Sequence, residues 1–273
     1  MIRRCAWTLA SVTSLAGVGA ASAADMAVKA PPMAAPIPVY DWSGIYIGLN
    51  AGYGWGENTN RNITFTDPGS VGFAPYFALG GNVFPNLRPQ GFVGGGQIGA
   101  DRQWGKFVAG VVTDFQGADI KDAAAVAVNP NGVASTQTLT QRLDFLGTAR
   151  VRAGFAANNW LFYGTGGFAY GQVNSSLNFS APTAAVILIN SNTENRTGWV
   201  AGAGVNYGIA RWVVGLEWLH YDLGRSTVTA LTVPPGTITP GASLTGTQRV
   251  AGDIVRGTIS YKFNWTPLVT AKY

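Results

Sequence analysis

In eight separate stretches of this chain, apolar residues alternate with small or polar ones position by position, and no other feature restricts the fold as tightly. The first stretch, Trp42 to Trp55, shows the pattern plainly. One set of positions reads Ile45, Ile47, Leu49, Ala51, Tyr53, Trp55, and the other reads Gly44, Tyr46, Gly48, Asn50, Gly52, Gly54. A period of two is that of a β-strand, not of a helix. The other stretches run over about 90–103, 106–117, 138–155, 160–173, 197–209, 211–223 and 248–263. Each exceeds the ~9–11 residues with which a tilted strand crosses a bilayer.

The connections alternate in length. Long ones fall at about 56–89, 118–137, 174–196 and 224–247, and short ones at 104–105, 156–159 and 210. Antiparallel neighbours turn at opposite rims, and transmembrane barrels keep the periplasmic turns short and the outer loops long. The sequence therefore predicts an all-β fold, an eight-stranded antiparallel up-and-down transmembrane β-barrel. Both of its ends lie at the short-turn rim.

Charge placement decides which face points inward. In the fourth stretch Arg142, Asp144, Arg150 and Arg152 alternate with Leu143, Phe145, Val151 and Phe155. Isolated charges are costly in lipid. An interior network of Asp101, Asp114, Asp144, Arg150, Arg152, Glu217 and Arg256 is therefore expected. Eight strands enclose a space just wide enough for side chains to fill, so the network reads as a plug rather than a wide aqueous path. Aromatic residues gather near the ends of the stretches, and Trp42, Tyr53, Trp55, Trp104, Trp160, Trp199, Trp212 and Trp218 are expected in the two interfacial girdles.

Composition agrees. Charged residues make up 11% of the chain, under half of the ~25% usual in soluble domains. Disorder is excluded by 9 Trp, 10 Tyr and 13 Phe, because disordered chains are poor in aromatics. Basic residues form no run of five or more, which argues against a nucleic-acid patch. A single cysteine, Cys5, and a single histidine, His220, leave no thiolate or histidine metal cluster, so neither metal nor cofactor is expected.

The N-terminus reads as an export signal. Arg3 and Arg4 precede an apolar, alanine-rich run that ends in the small-residue motif Ala21-Ser22-Ala23. The expected organisation is a signal peptide over 1–24, a proline-rich periplasmic linker over 25–41 and the barrel over 42–273, with its last strand ending near 263. No other apolar run approaches the ~18 residues of a membrane helix. The apolar 181–190 stretch (APTAAVILIN) is read as a hairpin extended above the membrane, with an exposed binding patch as the alternative.

Two motifs suggest chemistry and are set aside. Gly94, Gly96 and Gly99 fit G-x-G-x-x-G, but a dinucleotide site needs that motif between a strand and a helix. His220 is the one candidate general base of its type. It shares parity with Leu216 and Trp218, which places it on the lipid face near a rim, and no serine stands in an H-x-S pattern beside it. No catalytic residue is expected.

Four segments together carry a family resemblance: Trp42-Ser-Gly-Ile-Tyr-Ile-Gly-Leu-Asn-Ala-Gly-Tyr53, Leu161-Phe-Tyr-Gly-Thr-Gly-Gly-Phe-Ala-Tyr170, Gly198-Trp-Val-Ala-Gly-Ala-Gly-Val205 and Val255-Arg-Gly-Thr-Ile-Ser-Tyr-Lys-Phe263. In order and spacing they resemble the small outer-membrane β-barrel proteins of alphaproteobacteria, the surface-antigen group labelled "porin family". The resemblance implies an OmpA-like barrel in the outer membrane of a Gram-negative bacterium, surrounded by outer-membrane lipids. It also implies insertion by the barrel-assembly machinery, with Tyr261 and Phe263 as the C-terminal signal unless Tyr273 ends it. It brings no catalytic residues. The leading reading is a structural, surface-exposed envelope protein whose long outer loops meet a ligand or host partner that the sequence does not name. A narrow pore for small solutes is the alternative, and a lipid-modifying barrel enzyme acting through His220 ranks behind it. A soluble ligand-binding barrel comes last.

Overall fold

The computed structural model describes residues 40–57, 62–66, 87–128, 135–181, 186–231 and 243–263. The expected signal peptide, all of the linker before Tyr40 and the tail after Phe263 lie outside them. The described residues form nine strands: β1 (Gly44–Gly56), β2 (Asn62–Thr66), β3 (Gln90–Trp104), β4 (Phe107–Val128), β5 (Ser135–Ala157), β6 (Trp160–Ala181), β7 (Val186–Ile209), β8 (Trp212–Leu231) and β9 (Ser243–Phe263). Every pairing is antiparallel, and β1 pairs with β9 to close the ring β1-β3-β4-β5-β6-β7-β8-β9. The short β2 lies beside the outer part of β9 only, so the closed ring has eight strands. From the short-turn rim up to Trp199–Asp222 every strand is paired on both sides, and closure of that kind is what allows a sheet to stand in lipid.

The faces are inverted relative to a soluble protein. Ile47, Leu49, Val111, Val151, Leu216 and Ile259 are exposed on the outside, whereas Arg150, Glu217 and Arg256 are buried within. Such an apolar belt around the whole wall has lipid as its natural surroundings.

The three short connections are two-residue turns at one rim. Each begins with a positive φ: Gly105 at 62°, Asn158 at 54° and Ala210 at 54°. The glycine motif in 94–99 lies wholly inside β3. Gly99 points inward, where a Cβ would come within 2.2 Å of the Tyr46 hydroxyl, so the missing side chain makes room for that ring.

The outer ends differ from expectation. Strands β4 to β9 are 20–24 residues long, about twice what a bilayer requires. Much of what reads as long loops is paired backbone, and the connections shrink to 129–134, 182–185 and 232–242. Above the membrane both faces of a sheet can be polar, so the apolar alternation fades while pairing continues. Polar cross-strand pairs take over: Thr227 bonds Thr247 and Thr229 bonds Thr245, each at 3.2 Å. The 181–190 stretch joins this extension, with β6 running to Ala181 and β7 starting at Val186.

Two bulges correct the reading of faces. The register slips at Asp144, where β4 and β5 cease to match residue for residue, and between Asp222 and Arg225 on β8, where Gly224 has φ +78°. A single extra residue flips the parity of everything beyond it. On β5 the inward set is Arg152, Arg150, Thr148 and Leu146, then Leu143 and Gln141.

The barrel interior as candidate functional site

The interior fills in layers. At the middle, four charges form a ring: Asp114 on β4, Arg150 on β5, Glu217 on β8 and Arg256 on β9. Arg150 donates to Glu217 at 2.7 Å and to Asp114 at 2.8 Å. Arg256 donates to the same two carboxylates, at 2.6 Å and 2.8 Å. Thr148 donates to Asp114 at 2.9 Å and accepts from Arg150 at 2.9 Å, while Gln116 accepts from Arg256 at 3.2 Å. Arg150–Asp114 and Arg256–Glu217 join neighbouring strands, whereas Arg150–Glu217 and Arg256–Asp114 each link strands three places apart around the ring and so cross the lumen. Two positive and two negative groups balance, which is the condition for keeping charge in a dry interior.

One level toward the short-turn rim, Arg152 pairs with Asp101, its Nε donating at 2.8 Å. The guanidinium lies over Tyr46 at 4.7 Å and Tyr163 at 5.1 Å, an arrangement that suits a planar cation. The Tyr163 hydroxyl donates to Glu217 at 3.2 Å and so links this pair to the ring.

An apolar layer lies on the outer side, and on the other side Trp42 and its apolar neighbours share the space with the buried Asn206, Ser260 and Lys262. Toward the outer rim Val93, Ile120, Leu143, Leu146, Val173, Val200, Leu219, Leu223 and Ile254 pack together inside the barrel. This layer had no counterpart in the sequence reading. At the short-turn rim Trp42 packs against Val108, Ala156, Leu161, Tyr163 and Val213, with Tyr40 against its ring. Its backbone N–H donates to the Gln103 side chain at 2.8 Å. Lys262 sits over the Tyr40 ring at 4.7 Å. Burial first, then the neighbouring Asp41, pushes the Tyr40 hydroxyl up to about 12.

Of the seven charges expected inside, Asp101, Asp114, Arg150, Arg152, Glu217 and Arg256 face the interior and are brought together. Asp144 is not among them. It is the bulged residue of β5 and pairs with Arg142 at 2.6 Å and with Asn174, away from the ring. Arg142 is likewise on the outer surface, half-exposed.

Of the eight expected interface aromatics, Trp104, Trp160 and Trp212 lie exposed by the short-turn rim, and Tyr53, Trp55, Trp199 and Trp218 lie exposed toward the outer rim. Trp42 is the correction. It is 1% exposed and inside, because its even position shares the inward parity of Gly44 and Tyr46, and the chain before β1 folds across the mouth. Tyr261 and Phe263 point outward near the end of β9 and pack edge-to-face at 5.1 Å.

His220 faces outward near the outer rim. It meets Asp253, directly opposite on β9, at 3.1 Å and packs on Trp199 at 5.4 Å. Neither Glu217 nor Asp222 is its partner. Ser226, the serine that follows on β8, is bonded to Glu194 instead.

The family model and the sequence relatives agree with this architecture. A family model for the outer membrane protein beta-barrel domain matches residues 13–263. The 31 kDa outer-membrane immunogenic protein of Brucella melitensis is 35% identical over 223 residues, covering 80% of this chain and 86% of that relative. The 25 kDa outer-membrane immunogenic protein of Brucella abortus is 28% identical over 219 residues, covering 76% and 83%. The crystal structure of outer membrane protein OprG from Pseudomonas aeruginosa aligns with 82% of this chain and 98% of that one, at 11% identity and a TM-score of 0.46. The inverted faces, the closed ring and the family match together establish that this chain belongs to the outer membrane beta-barrel family and resides in the outer membrane.

Proposed function

We propose that this protein is a surface-exposed envelope barrel that acts through its outward and extracellular surfaces and has no path through its middle. The ion ring joining the two sides of the barrel carries the reading: Arg150 reaches Glu217 and Arg256 reaches Asp114 across the lumen, while each also bonds the carboxylate on its neighbouring strand. The apolar layer above the ring and Trp42 below it add two further closures. A narrow pore would instead need a continuous polar path. The relatives' names, outer-membrane immunogenic proteins, support surface display of this chain as well. The proposal includes no catalysis: among the described residues His220 bonds Asp253, and it faces the membrane. It also includes insertion by the assembly machinery through Tyr261 and Phe263, and contact of the tall outer strands with a partner outside the cell.

Surface display is tested by cysteine labelling, since the chain's one cysteine is Cys5, in the expected signal. Thr193→Cys on the β7 extension should react on intact cells with a maleimide polymer too large for porins. Ala157→Cys, at a short turn, should react only after the outer membrane is opened. Equal labelling of both on intact cells would refute the orientation.

A further inference from the structure

The outward face of β8 and β9 carries a charge arrangement that the closed interior does not explain. Arg225 and Arg249 are cross-strand partners, and both are exposed. Like charges placed directly opposite repel. Along β8 the odd residues from Val213 to Leu223 face inward, so Arg225 would do the same in a regular strand. The bulge at Gly224 turns it out beside Arg249. Bulges that re-aim a side chain are common at barrel rims and next to binding sites.

The acids nearby do not balance the pair. Asp222 is the partner of Arg249, whose Nε donates at 3.1 Å, and it also accepts the Gly224 backbone N–H at 2.9 Å. Asp253, lower on β9, is taken by His220 at 3.1 Å. Glu57 attracts Arg249 but forms no ion pair with it among the described residues. Arg225 has no ion-pair partner among the described residues.

The other outward basic pair is different. Lys121 and Arg142 are also cross-strand partners, but Asp119 meets Lys121 at 3.0 Å and Asp144 meets Arg142 at 2.6 Å. Each base there has its own acid.

Height gives the ligand class. With a rise of ~3.4 Å per residue and a tilt of ~40°, Arg225 stands roughly 30 Å above Trp212 at the short-turn rim. The outward apolar band of such barrels is ~25 Å tall. Trp199 and Trp218 mark the outer part of that band beneath the arginines. The two guanidiniums therefore stand at the level of the outer-leaflet headgroups. Planar forks of this kind bind phosphate oxygens two at a time.

We infer that Arg225 and Arg249 together bind the phosphate of an outer-leaflet lipid, with its chains lying along the wall below. This rests on the outer-membrane placement but not on the closed interior.

The test uses full chain extracted from membranes into a maltoside detergent, stripped of lipid and examined by native mass spectrometry. The probe is bis-phosphorylated lipid A. A one-to-one adduct is expected, and millimolar inorganic phosphate should leave it in place. Arg225→Gln with Arg249→Gln should weaken the adduct at least ten-fold. Lys121→Gln with Arg142→Gln should leave it unchanged. Arg225→Gln alone breaks no ion pair, and it serves as the test if the double variant lacks the heat-dependent gel shift of a folded barrel. Equal binding of a lipid with the same chains but no phosphate would overturn the proposal. So would displacement by inorganic phosphate, or an equal loss in the Lys121/Arg142 variant.

Discussion

Glu217→Gln should destabilise the barrel by about 3–5 kcal/mol, the usual result of removing one partner from a buried ion pair. The change is nearly isosteric, so it removes charge rather than volume. It leaves Arg150 and Arg256 facing Asp114 alone, where Glu217 is bonded to both. A lone excess cation in a largely desolvated interior is costly. Urea unfolding from lipid vesicles, followed by tryptophan fluorescence, reads the effect as a lowered midpoint with an unchanged slope. Adding Arg150→Gln restores the charge balance, with Asp114 and Arg256 remaining as a pair. The double variant should regain more than about 1 kcal/mol over the single one, a coupling typical of groups in direct contact. A single-variant loss below about 1 kcal/mol would mean that the ring is hydrated.

Trp42→Ala should cost about 3–5 kcal/mol, in line with other aromatic truncations in well-packed sites. The indole is held by Val108, Leu161, Tyr163 and Val213 inside the mouth. A tryptophan at the lipid interface would instead lose contacts on one side only. Trp212→Ala, whose ring is half-exposed outside, should therefore cost less than Trp42→Ala in the same unfolding assay. If the order were reversed, Trp42 would belong in the girdle, where its place near a strand end suggested it.

The contrast between Trp42 and Trp212 shows what one sequence can and cannot reveal. Strand number, the polarity of the faces and the inward side of Asp114, Arg150, Glu217 and Arg256 all follow from a period of two, because lipid outside and charge inside are opposite solvents. Trp42 carries the inward parity of Gly44 and Tyr46, which outweighs its nearness to a strand end. Asp144 was misplaced for another reason. A bulge inserts one residue without requiring any particular residue type, so the parity of Arg142 and Asp144 was extended past a slip that only the pairing of β4, β5 and β6 reveals. The same slip brings Leu143 inward, next to Leu146, and so helps to build the apolar layer that the sequence did not disclose. Which charges meet was equally hidden. Parity assigns a face, but contact between Arg150 on β5 and Glu217 on β8 depends on closure of the ring. The tall outer strands were missed because Thr227, Thr229, Thr245 and Thr247 pair in water, where no apolar alternation is needed.

Recording from a planar bilayer tests the proposal that nothing passes through this barrel. Protein whose folding is first shown by a heat-dependent gel shift should insert and give no current steps, with the ring, the apolar layer and Trp42 all in place. Discrete steps whose size changes on Glu217→Gln or Arg150→Gln would place a conducting path beside those very charges and contradict the account.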